Sequence, residues 1–179
     1  MPEPPGPAPV RRDSGTVRHH GDSPTRTSIR HNRRVTTELL IGSEQSEFVR
    51  ATFSGRAFPD RHDSADGNWI MVGIELRTGP FTGSIDALWR AETLAPFKRE
   101  LEGLYAELEG DAVFKPDWER SLQLRFHGDG LGHVAVTGEA CANAATGPWL
   151  RFELPSLDQT YLPDLISTVS GLEAEFPVR

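Results

Sequence analysis

Few residues in this chain are arranged to do chemistry. His127, Asp129 and His133 crowd one short segment, and two histidines beside an aspartate are a ligand set for a divalent metal. Their spacing matches no zinc pattern, and Gly128, Gly130 and Gly132 account for the same segment as a hairpin turn. Asp60, Asp63 and Asp66 offer hard oxygens of the kind calcium takes, yet the ligand positions and closing glutamate of a helix-flanked calcium loop are missing. No serine stands in a glycine-bracketed elbow after a strand, and no glycine-rich phosphate loop can be read. The expectation is a protein that is not an enzyme and uses no metal or cofactor.

Two short polar motifs say more. Asp66-Gly67-Asn68-Trp69 opens an apolar alternating run, and Leu157-Asp158-Gln159-Thr160-Tyr161-Leu162 opens a helical one. Asp66-Gly67 is a turn signal, Asn68 is suited to bonding its own loop, and Trp69 to covering the loop's inner edge. In the later motif Asp158 or Thr160 is the helix cap, while Gln159 and Tyr161 hold neighbouring backbone. Each motif lies at an element boundary, so structural anchoring is the expected role for Gly67, Asn68 and Trp69 and for Asp158, Gln159, Thr160 and Tyr161.

The elements that position these motifs follow from hydrophobic periodicity. Val49, Ala51 and Phe53 share one face of a strand that ends near Gly55, and the polar stretch from Arg56 to Gly67 is a loop. Ile70, Val72, Ile74 and Leu76 alternate, as do Phe81, Ile85, Ala87 and Trp89 after the turn at Thr78-Gly79-Pro80, which predicts an antiparallel hairpin. Leu94, Phe97, Leu101, Leu104, Tyr105 and Leu108 fall at helical spacing from Thr93 to about Glu109, with Thr93 as N-cap and Gly110 as the left-handed C-terminal cap. A short strand from Val113, alternating strands through Leu122–Phe126, Val134–Val136 and Leu150–Leu154, and a last helix starting near Asp158 or Thr160 complete the chain. Strands then helix, twice over, predicts an α+β domain: a curved, mainly antiparallel sheet of about six to eight strands with two helices packed on one side.

Composition bounds the rest. Hydrophobic residues make up 37% and charged residues 25%, which suits a globular domain over residues 36–179. Residues 1–35 are expected to be a disordered Pro/Arg-rich tail, since so little apolar surface there cannot offset the entropy of ordering it. Seven arginines against three acids leave residues 1–37 at +4, so residues 38–179 carry −11 of the chain's net −7. That charge argues against nucleic acid as the domain's direct ligand and favours a basic partner surface. Cys141 is the only cysteine and no stretch approaches about 18 consecutive apolar residues, so the expectation is a cytoplasmic protein that does not span a membrane.

The ordered set Phe58-Pro59, Asp66-Gly67-Asn68-Trp69, Phe97-Lys98-Arg99-Glu100-Leu101, Leu108-Glu109-Gly110, Gly132-His133-Val134 and Leu157-Asp158-Gln159-Thr160-Tyr161-Leu162 resembles the WapI-like immunity proteins of bacterial polymorphic toxin systems. The resemblance implies a protein that binds and neutralises the C-terminal domain of a cognate toxin, typically a nuclease, delivered by a wall-associated or contact-dependent system. Such a protein needs a preformed surface rather than catalytic residues, and acidic side chains can imitate nucleic-acid phosphates before a basic nuclease. The resemblance carries over no binding residue. By charge and expected exposure, the partner-binding candidates are Asp60, Asp63 and Asp66 in the loop and Glu100, Glu102, Glu107 and Glu109 on the first helix. The alternative is a small-ligand-binding or scaffold domain without catalysis, which would need a concave apolar pocket.

Overall fold

A computed structural model describes residues 37–116, 120–143 and 145–179. The expected tail over residues 1–35 lies outside them. Eight strands and two helices follow in the order β1 (Thr37–Gly42), β2 (Phe48–Arg56), β3 (Trp69–Thr78), β4 (Phe81–Arg90), α1 (Leu94–Glu107), β5 (Glu109–Phe114), β6 (Leu122–Asp129), β7 (His133–Cys141), β8 (Trp149–Asp158) and α2 (Leu162–Glu175). The strands form two antiparallel four-stranded meanders, β1-β2-β3-β4 and β5-β6-β7-β8, each followed by its helix. This is the expected α+β class with antiparallel strands, the sheet being divided in two.

Each meander is built from short-range pairing that its sequence favours. In β3 the residues Ile70, Val72, Ile74 and Leu76 are buried while Met71 and Glu75 face outward, the period of two that a half-buried strand requires. Gly79, at φ +51°, and Pro80 close the β3–β4 hairpin, and all ten pairs from Trp69↔Arg90 to Thr78↔Phe81 hold one register. A slip of one residue would turn the buried aliphatic row to solvent, so the pattern itself fixes the register.

A common core joins the parts. Leu94, Phe97, Leu101 and Leu104 of α1 and Leu162, Leu165, Val169 and Leu172 of α2 are buried in one cluster with the inner residues of both sheets. An aromatic chain crosses it: Phe53 packs edge-on against Trp89 at 5.7 Å, Trp89 against Phe114 at 4.6 Å, and Phe97 touches both Phe114 and Phe126. Trp89 Nε1 donates to Ser121 Oγ, which satisfies the one polar atom that ring carries into the interior. Each such apolar side chain contributes about 2 kcal/mol by leaving water.

Three local expectations are corrected. Thr93 makes no side-chain cap; it ends a 3₁₀ turn, Ala91–Thr93, that leads straight into α1. The helix stops at Glu107, and the left-handed residue is Leu108, φ +59°, so Glu109 begins β5 instead of lying on the helix. The Leu108 carbonyl then accepts from the Gly130 amide at 2.9 Å, and a Cβ on Gly128 would come within 2.4 Å of that same carbonyl, so only glycine admits the approach. Last, α2 begins at Leu162 behind a 3₁₀ turn, Gln159–Tyr161, with Pro163 in its first turn.

Candidate functional site

Asn68 is the most deeply buried polar residue of the first motif, at 0% exposure. Its partners lie far from its own loop. The carboxamide donates to Glu92 Oε1 at 2.8 Å, and its oxygen accepts the Arg179 amide at 2.8 Å, 111 residues away. The Asn68 carbonyl accepts from the Ala91 amide. Trp69 is half-buried on the outer face of the sheet, with the Arg90 guanidinium 5.2 Å above its ring, rather than under the loop. Asp66 contributes its carbonyl to the Trp69 amide, and a Cβ on Gly67 would meet the Asp63 carbonyl at 2.6 Å.

The loop aspartates do different things. Asp63 Oδ1 accepts from the Ala65 and Asp66 amides, and the Asp66 amide bond leads the causes that hold this carboxyl below the usual range. Asp60 is exposed and Asp66 half-buried. On α1, Glu102 and Glu107 are exposed, while Glu100 reaches over to accept the Val113 amide of β5 at 2.7 Å, closing a donor on an edge strand. Lys98, on the same helix, is paired with Glu173 of α2. The structure places the two acidic groups on separate elements, the β2–β3 loop and the α1–β5 segment.

The second motif is shallower. Asp158 Oδ1 accepts the Thr160 amide at 2.9 Å, which makes it the cap of the 3₁₀ turn, while α2 itself has no side-chain cap, and this bond leads the causes that lower the Asp158 pKa. The Gln159 amide donates to the Gly132 carbonyl at 2.8 Å. Tyr161 goes beyond neighbouring backbone: its hydroxyl donates to the Leu40 carbonyl of β1, tying the start of α2 to the first meander. Burial is the first cause of the raised Tyr161 pKa.

The histidine segment is also accounted for by local bonds. Asp129 Oδ1 accepts the Leu131 and His133 amides across the β6–β7 turn. His127 Nδ1 lies 2.9 Å from Asp111, whose two oxygens are also bonded by the Arg125 guanidinium. Among the described residues no three His, Cys, Asp or Glu side chains converge as a metal site. An open depression of about 520 Å³ lies on the second sheet, where Val113, Leu124 and Phe152 supply apolar walls beside the charged Arg125, Glu139 and Arg151. Among the described residues no helix is long and apolar enough to cross a membrane.

These features define a two-meander α+β protein whose polar motifs are spent on holding its own loops and caps. The chain belongs to the WapI-like immunity protein family, whose model matches residues 39–177. Neither the curated proteins nor the solved structures include a match to it.

Proposed function

We propose that this protein is an immunity protein that neutralises a nuclease toxin by covering its basic nucleic-acid site with an acidic surface. The observation that carries the reading is the family match over residues 39–177, which implies a toxin as partner in general. The finer choice of a nuclease rests on charge. With −11 over residues 38–179, the domain would draw a basic surface toward it and place carboxylates where phosphates would lie. Asp60, Asp66, Glu102 and Glu107 are the contacts proposed first. Asp63, Glu100 and Glu109 belong to the same two patches, but the first two also bond backbone amides of their own fold. The protein acts by binding in the cytoplasm of the producing cell, with no turnover and no cofactor, against the C-terminal domain of the cognate toxin.

The test is growth of cells co-expressing a candidate toxin C-terminal domain taken from the neighbouring genes. Wild-type protein restores growth. Reversal of both patches together, Asp60→Lys and Asp66→Lys with Glu102→Lys and Glu107→Lys, abolishes protection while leaving the fold intact by circular dichroism. Unchanged protection by that variant would overturn the acidic-surface reading.

A further inference from the structure

The twelve residues between β2 and β3, 57–68, contain no regular structure. Holding their backbone in one conformation costs about 1–2 kcal/mol per residue. Their internal bonds are few: Arg61 to the Phe58 carbonyl, Gly67 to the Asp63 carbonyl, and the two amides on Asp63 Oδ1. What holds the loop comes instead from outside it. Arg179 Nη1 donates to the carbonyls of Pro59 and Arg61, Arg90 to those of Ser64 and Ala65, and Arg56 to that of Gly67. Five loop carbonyls thus face three guanidiniums.

The arginines are themselves held. Arg56 also donates to the Pro177 carbonyl, so it bridges the loop's end to the chain's last residues. Arg90 pairs with Glu92 at 2.6 Å and covers Trp69; Glu92 in turn accepts from buried Asn68, which receives the Arg179 amide. Phe176 anchors this last segment, 4% exposed and 6.2 Å from the Phe53 ring. Burial first, and then the nearby charge of Arg179, make Arg56 a weaker base. A planar fork with several fixed donors suits such carbonyl bonding better than a lysine point charge does.

We infer that Arg56, Arg90 and Arg179 form a carbonyl clamp that sets the order of the 57–68 loop, and that residues 177–179, beyond the core anchor Phe176, are its latch. Asn68 is the pivot on which latch and loop meet. The loop and the latch are separated by more than a hundred residues, yet they open and close as one unit. Release of residues 177–179 frees the loop without unfolding the two meanders, because Phe176 and the rest of the core stay in place.

Amide hydrogen exchange on the full chain tests this. In Arg179→Ala, exposed and outside the core, the amides of Arg61, Ala65, Asp66 and Gly67 should exchange about tenfold faster or more, while those of Phe126 and Val136 keep their wild-type rates. Arg90→Lys, which keeps the charge but loses the fork, should speed the Ala65 and Asp66 amides in the same sense. Loop exchange within twofold of wild type in both variants would overturn the clamp. An equal acceleration of Phe126 and Val136 would overturn it too, by showing global rather than local opening.

Discussion

The two polar junctions of this protein do the same job at very different depth. At Asp66–Trp69, a strand begins behind a buried asparagine whose partners are Glu92 and Arg179. At Asp158–Tyr161, a helix begins behind an exposed carboxylate that caps an amide two residues on, helped by one long-range hydroxyl to Leu40. The difference teaches where specificity of fold is stored. A buried polar group must find every partner or cost the full desolvation of the orphan, so the first junction couples distant parts of the chain. The second, open to water, loses little when a bond is removed.

The largest effect that would sharpen this contrast is expected at Asn68. Asn68→Ala strands the Arg179 amide and removes a donor from Glu92, and it should lower unfolding free energy by about 3 kcal/mol in urea denaturation. A loss as small as that of a surface substitution would break the comparison. Tyr161→Phe deletes only the bond to the Leu40 carbonyl and should cost about 1 kcal/mol by the same measurement. Asp158→Ala should cost less again, with faster exchange confined to the Thr160 amide.

Acid should make the smallest difference, and on the exposed surface. Hydrogen bonds from Arg125, and then from His127, lower the Asp111 carboxyl from 3.8 to about 2. A carboxyl depressed in the folded state adds stability above its unfolded pKa, and that contribution disappears as pH falls through the folded value. The urea midpoints of wild type and Asp111→Asn should therefore differ at pH 5 and converge toward pH 2. A gap that widens on acidification would reverse the sign of this assignment.

The part of the fold that sequence reveals is the part built from local pattern. Alternation in Ile70–Leu76 and the Gly79-Pro80 turn identify the central hairpin because side-chain period and turn conformation are properties of adjacent residues. The end of α1 is not legible in this way. Gly110 does take positive φ, at +99°, yet the left-handed cap falls two residues earlier on Leu108, whose carbonyl accepts the Gly130 amide of the β6–β7 turn, a tertiary contact that local preference does not announce. The partners of Asn68 are equally hidden, since nothing in the residues around it points to position 179. Of the partner-binding candidates, sequence could give charge but not engagement. Asp63 and Glu100 read like their neighbours, and only the folded chain brings amides to their oxygens.

The central claim is that this chain neutralises a toxin by direct contact, and complex formation tests it most directly. Purified protein should be titrated against a candidate toxin C-terminal domain from the neighbouring genes, with the nuclease activity that the proposal assigns to it followed on the same samples. The account predicts a one-to-one complex that weakens as salt is raised and activity that falls to background at equivalence. Full nuclease activity in the presence of excess protein, or binding that leaves the activity untouched, would contradict it.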